Sequence, residues 1–445
     1  MNGGKARESG DRRGKLVLLL SGLALGLAAS EVALRLVGVS YPQPYAPDPY
    51  CGTRLRPGFE GWWRKEGAAY VRINRHGFRQ GDREPAKPPG TFRVAVLGDS
   101  FIEAFQVPDE QTFCAQLERG LQDCSALAGR RVEVLNFGVS GFGTAQELLM
   151  LRYYVWQYQP DLVLLAFFPG NDLRNNSAEL EPYRVRPFYR LRSGELVLDD
   201  SFFQHPDYLK AQSAWVRFKV AATDRLRSLQ LVYQFRDAWR QRTAAPVTGG
   251  GPGVDWAALA EPRDQTWRKA WDLTERLLVE TAREATAHRA GFVLLTVSND
   301  VQVHPDESIR EAARRQLGVR DLFHADRRLD QLGRQHHFAV IKLAEPMGQY
   351  ASENQVHLHG FDNTQLGVGH WNVAGHRLAA EIAAAAICRQ LQKKPATEDE
   401  CPPAPPNPPP LPTRCPGRTA FRPRTRDLIN DADEVPSSRL TRQTC

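Results

Sequence analysis

No extended block of lysines or arginines occurs in this chain of 445 residues, nowhere more than two in succession, so the electrostatic footprint of a nucleic-acid binder is missing. Its formal charge of +7 is the small balance of 58 basic and 51 acidic residues and carries little information about partners. The sequence also lacks any Cys-x-x-Cys pair and any His-x-x-x-His spacing, so neither a zinc site nor another metal or cofactor is implied. Internal repeats are absent, which excludes a solenoid or propeller. The seven cysteines are an odd number, leaving at least one unpaired within the chain. Cys114 and Cys124 lie on one predicted helix and its exit, near enough to pair locally, while Cys388, Cys401 and Cys415 sit in or near the C-terminal segment.

Long apolar runs are scarce too, with one exception. Residues 16–29 read LVLLLSGLALGLAA, preceded by Arg12, Arg13 and Lys15 and ended by Ser30 and Glu31. A basic flank before such a stretch is the pattern of a secretion signal. By length alone it falls short of the roughly 20 residues of a membrane span. Gly26 and Ala28 suit cleavage after Ala28; the amphipathic continuation 32–37 suits retention as a signal anchor. Both predict an exported chain, periplasmic or held on the inner membrane and facing outward. At the other end, residues 401–412 contain eight prolines in twelve positions, which excludes a helix or an inner strand. The division expected is a signal peptide or anchor over 1–38, a body over 39–395 and a disordered tail over 396–445.

Within the body, short apolar segments alternate with helix-length ones. Strands are predicted at 92–97, 132–136, 161–168, 291–297 and 338–343, and helices at 109–122, 144–158, 264–289 and from Val373. That alternation predicts a three-layer α/β fold with a parallel sheet. Residues 175–263 break the rhythm with a hairpin-like stretch at 190–198 and an arginine-rich helical segment at 209–242, and read as an insertion.

Four blocks fall at predicted strand ends or just before the last helix. Ser100 follows the first strand in Gly98-Asp99-Ser100, where a hydroxyl can face a crevice beside backbone N–H groups. The second strand runs into Asn136-Phe137-Gly138-Val139-Ser140-Gly141, whose glycines allow close backbone approach. The third ends in Gly170-Asn171-Asp172, offering a side-chain amide to an oxyanion. His370, in Gly369-His370-Trp371-Asn372, stands before the final helix as a candidate general base. Each block has a plain alternative: a turn at Ser100, a turn with a Thr144 helix cap, an Asp helix start after Asn171, a surface histidine at 370. His376, one turn into the last helix, suits packing or capping better than catalysis.

Taken together, Ser, Gly, Asn and His in that order resemble the SGNH (GDSL-like) hydrolases of bacterial envelopes, over about residues 92–174 and 264–392. The resemblance implies a flavodoxin-like three-layer fold and a Ser100 nucleophile with His370 as its base. It also implies oxyanion donors from Ser100 N–H, Gly141 N–H and the Asn171 amide. One departure stands out: members of that family usually carry an aspartate three residues before the histidine, and this chain has Gly367 there. The nearest upstream acid is Asp362, which becomes the candidate to orient the imidazole, with a backbone carbonyl as the alternative. The expected activity is ester hydrolysis through an acyl-enzyme, on an acylated glycan or lipid, with an O-acetyl group on an envelope carbohydrate as one substrate. The alternatives are an O-acetyltransferase using the same acyl-enzyme, and a non-catalytic envelope scaffold or carbohydrate-binding protein.

Overall fold

The computed structural model describes residues 4–41, 43–243 and 256–393. The tail expected to be disordered, with Cys401 and Cys415, lies outside them. Helix α1 (Gly4–Leu36) leads to two hairpins, β1 (Tyr45–Asp48) with β2 (Gly52–Leu55) and β3 (Glu60–Trp63) with β4 (Ala69–Arg72). Next come β5 (Thr91–Gly98), α2 (Ser100–Glu103), α3 (Phe113–Gln122), β6 (Arg131–Asn136), α4 (Thr144–Met150), β7 (Leu162–Phe167) and α5 (Asp172–Asn176). A third hairpin, β8 (Phe188–Arg192) with β9 (Glu195–Asp199), precedes α6 (Pro206–Ala211), α7 (Ala214–Arg225) and α8 (Arg227–Thr243). Alternation resumes with α9 (Gln265–Ala287), β10 (Gly291–Thr296), α10 (Glu307–Leu317), α11 (His324–Gln335), β11 (Ala339–Lys342), α12 (Ala344–Asn354) and α13 (Val373–Lys393).

Strands β6, β5, β7, β10 and β11 lie side by side in that order, all parallel. Numbered by appearance the order is 2-1-3-4-5, the doubly wound flavodoxin-like arrangement. The fold is therefore the three-layer α/β class expected. Short, nearly continuous apolar runs explain why these segments make inner strands, with successive side chains going to opposite faces. Phe92, Val94 and Val96 of β5 enter one core with α3, α12 and α13, while Ala95 and Leu97 enter the opposite core with α4, α9 and α11. β7 divides likewise, with Leu162, Leu164 and Ala166 on one face and Val163, Leu165 and Phe167 on the other. Each of the valine, leucine and phenylalanine side chains among them contributes about 1.5–3 kcal/mol on burial, which makes the sheet the rigid base for whatever stands at its edge.

Local departures are few. The helix predicted over 144–158 keeps its path but changes pitch, with α4 followed by a π turn at Leu151–Val155 and a 3-10 turn at Trp156–Tyr158. The N-cap of α4 is Gly143, not Thr144. The apolar stretch 16–29 continues without a break through Glu31, so Gly14–Leu36 forms 23 residues long and apolar enough to cross a membrane, none of them buried. The local Cys114–Cys124 pairing does not form. Cys124 is bonded to Cys388 of α13 at a Cα separation of 5.7 Å, whereas Cys114 is a buried free thiol in the α3 core. Helical geometry explains this: Cys114 lies on the face of α3 turned to the sheet, with Leu117 and Leu121, while Cys124 sits beyond the helix end, beside α13. Because the bond links residues 264 apart, reducing it, or replacing Cys388 by serine, should cost about 2–5 kcal/mol. The expected outcome is a lower thermal midpoint with reductant, absent in the Cys388→Ser chain.

Candidate active site

In the 2-1-3-4-5 order the chain changes direction across the sheet between β5 and β7, so a crevice opens at their C-terminal ends. Ser100 leaves β5 on one side of it, and Asn171 leaves β7 on the other. Asp99 joins the two. One carboxylate oxygen caps α2 by accepting from the Phe101 N–H at 2.9 Å, and the other accepts from the Asn171 amide nitrogen at 2.9 Å. Asn171 starts α5 without capping it through its side chain, so its amide is not used as a helix cap. Asp99 takes one of the two amide hydrogens and thereby fixes which end of the amide carries the donors. Burial raises the Asp99 pKa, opposed by the hydrogen bonds from Phe101 and Asn171.

Ser100 opens α2 and is 8% exposed. Its Oγ lies 2.7 Å from His370 Nε2. On the far side of the ring, Nδ1 stands 2.5 Å from one carboxylate oxygen of Glu66, whose other oxygen accepts the His370 backbone N–H at 2.8 Å. A carboxylate at Nδ1 places the imidazole proton there and leaves Nε2 as the acceptor facing the serine. Burial works to lower the His370 pKa, but the Glu66 carboxylate, with smaller contributions from Asp99 and Glu103, outweighs it and the net shift is upward. Glu66 is correspondingly lowered, because its bonds to His370 exceed the opposing effect of burial.

Asp362 is therefore not the residue at Nδ1; it is exposed, and Glu66 occupies that position. Glu66 stands in the turn between β3 and β4, ahead of the sheet altogether. Asn363, the neighbour of Asp362, holds that turn: its amide accepts from the Gly67 N–H and donates to the Gly67 carbonyl, both at 2.9 Å. Gly367 shows why the acid comes from elsewhere. Its φ is +81°, and a Cβ there would lie 2.6 Å from His304 Nε2, so an aspartate has neither the backbone conformation nor the room. Gly369, at φ +98°, is likewise bare because a Cβ would strike the Glu66 carboxylate.

A second buried histidine steadies the loop. His359 Nδ1 lies 2.6 Å from the Gly369 carbonyl, and its Nε2 lies 3.2 Å from Ser298 Oγ, which accepts from Trp371 Nε1 at 3.0 Å. The carbonyl makes Nδ1 the donor, so the peptide carrying His370 is tied from both sides. His376 packs in the core, its Nδ1 accepting from the Phe113 N–H at 3.2 Å. Gly141 lies on an exposed turn at φ +74°, and its carbonyl accepts from the Asn175 amide at 2.8 Å. The preceding Ser140 N–H donates to Glu103 at 2.6 Å, which ties the loop after β6 to the end of α2. Glu103 also accepts from the Tyr45 hydroxyl at 2.8 Å, and burial pushes its pKa up to about 7.

Of the residues singled out in the sequence, Ser100 and His370 touch, and Asn171 is linked to the serine's own turn through Asp99. Glu66 was missed, since nothing in its spacing relates it to the later blocks; a lone acid between two short aromatic strands was the signal available.

No family model matches the chain, and no curated protein matches it. Among solved structures it is similar to the acetyl xylan esterase AlAXEase, at 14% identity and a TM-score of 0.35 over 66% of this chain and 100% of that one. A two-domain esterase (CEX) active on acetylated mannans, co-crystallised with mannopentaose, matches at 10% identity and a TM-score of 0.34, over 70% of this chain and 52% of that one. A GDSL-like lipase from Bacteroides thetaiotaomicron matches at 13% identity and a TM-score of 0.28, over 68% of this chain and 88% of that one. These neighbours are esterases and a lipase, and the likeness to them is one of architecture alone.

Proposed function

We propose that the chain is a serine esterase in which Glu66, His370 and Ser100 act as a relay at the crevice between β5 and β7. One observation carries this reading: the unbroken line from the Glu66 carboxylate through His370 to the Ser100 hydroxyl, with separations of 2.5 and 2.7 Å. His370 Nε2 accepts the serine proton as Oγ bonds to the ester carbonyl carbon. The negative charge that develops on the carbonyl oxygen is met by Ser100 N–H, Gly141 N–H and the free hydrogen of the Asn171 amide. As the C–O bond to the alcohol breaks, the imidazolium returns the proton to the leaving oxygen. Water, deprotonated by the same nitrogen, then attacks the acyl-enzyme and releases the acid. Glu66 stays ionised throughout and stabilises the imidazolium.

Glu66 supplies the acid whose absence at position 367, together with the long insertion, motivates the non-catalytic scaffold reading, and so favours the esterase over it. The substrate class this reading favours is a small acyl ester, such as an O-acetyl group on an envelope carbohydrate, reached from an outward-facing position behind α1. The recessed Ser100 and the membrane-length helix support that choice. Acetate release from acetylated glycans, measured beside p-nitrophenyl acetate hydrolysis, tests it. Glycans left acetylated while the aryl ester is cleaved would refute the substrate and leave the chemistry. A separate test concerns the oxyanion: Asn171→Ala should lower kcat about 100- to 1000-fold with little change in KM. A KM rise at constant kcat would assign Asn171 to ground-state binding instead.

A further inference from the structure

We infer that α7 and α8 form a membrane-contacting platform that lies in the interfacial zone of the bilayer crossed by α1. The inference rests on reading α1 as a membrane anchor. Outside α1 and Val37, the described residues hold five large hydrophobic side chains that are 62–71% exposed: Trp215, Phe218, Val232, Phe235 and Trp239. No other exceeds 55%, and all five belong to α7 or α8. Their spacing is that of helical stripes. Trp215 and Phe218 are three apart, with ring centroids 5.7 Å from each other, and Val232, Phe235 and Trp239 follow at i, i+3 and i+7. Basic side chains accompany them. The Lys219 ammonium lies 5.3 Å from the Tyr233 ring centre, joining α7 to α8, and Arg236 covers the same ring at 4.8 Å. Aromatic side chains flanked by lysine and arginine are the composition that settles at a bilayer surface.

What decides between a bilayer and a protein partner is where these helices are fastened. Glu31 stands two residues past the end of the apolar run of α1. Its carboxylate accepts the Arg227 N–H at 2.9 Å and the Ser228 N–H at 3.1 Å, the first turn of α8. Arg35 of α1 donates to the Arg225 carbonyl at 2.6 Å, the last turn of α7. The junction of the two helices is therefore fixed at the outer end of the membrane-length segment Gly14–Leu36, by residues about 3–9 Å along the helix axis beyond the run 16–29. A surface held at that depth meets headgroups before it meets a soluble protein. Arg56, in the body, pairs with Asp224 at 2.8 Å, so the platform is joined to the catalytic body as well as to the anchor.

The test uses the full chain in vesicles of phosphatidylethanolamine and phosphatidylglycerol, with acyl chains brominated near the headgroup. No tryptophan occurs in α1, so quenching reports on the body alone. Trp215 and Trp239 are two of nine tryptophans, and quenching of roughly a fifth of the emission is expected in the wild type. In a Trp215→Phe/Trp239→Phe chain with an unchanged thermal melt, quenching should fall at least threefold. Equal quenching in both chains, or Trp215 and Trp239 still open to aqueous iodide, would overturn the platform and leave the surface to a protein partner. Alkaline carbonate separates the two readings. A chain that stays in the vesicles with equal quenching keeps its anchor and loses the platform; a chain that is extracted loses both.

Discussion

Ser100→Ala should abolish ester hydrolysis, lowering kcat for p-nitrophenyl acetate by about 10⁵- to 10⁶-fold. That is the scale seen when the nucleophile is removed from a serine relay, where oxyanion donors and binding alone remain. The loss should fall on kcat rather than KM, because the hydroxyl forms a bond and contributes little to holding the ester. Folding should survive, since the side chain lost is small, α2 is capped by Asp99, and alanine is a better helix former than serine. Unaltered hydrolysis in the alanine chain would place the reacting group elsewhere.

Glu66→Gln should lower kcat by about 10³- to 10⁴-fold, and Asp362→Asn should leave it unchanged. Glutamine keeps the size of the side chain but removes the charge that fixes the Nδ1 proton and stabilises the imidazolium. The pH dependence gives an independent readout. His370 must be neutral at Nε2 to accept the serine proton, and Glu66 raises its pKa above the ordinary histidine value of about 6.5. Activity in the wild type is therefore lost as pH falls through a value above that. In Glu66→Gln the largest raising influence is gone and only Asp99 and Glu103 still oppose burial, so the residual activity should persist to lower pH even as its maximum drops. A profile that kept its midpoint would mean Glu66 is structural. Asn363→Ala, which frees the turn carrying Glu66, should move the profile in the same direction but less far.

How much of this was legible depended on the range of the signal. Strands such as 91–98 and 162–167 announce themselves as short, nearly continuous apolar runs, because a strand covered on both faces buries every residue. The serine, glycine, asparagine and histidine blocks were legible for a related reason: each is defined by its position at an element's end, and parallel topology then gathers such ends on one edge. Glu66 is different. It reaches His370 across 304 residues, through a turn set by Asn363 and a bare backbone at Gly369, and neither periodicity nor spacing encodes such a meeting. The Cys124–Cys388 bond, across 264 residues, was hidden for the same reason, and proximity in sequence favoured Cys114 wrongly. Gly367 was legible as a gap but not as a consequence: its positive φ and the packing of His304 against it together explain why an acid there is excluded.

The relay is tested most directly by trapping it. A fluorophosphonate should add one phosphonyl group per chain, found on the peptide bearing Ser100 by mass spectrometry. Full labelling of the wild type is expected, none in Ser100→Ala, and labelling slowed by orders of magnitude in His370→Ala. Labelling on another residue, or a folded wild type left unmodified, would contradict it.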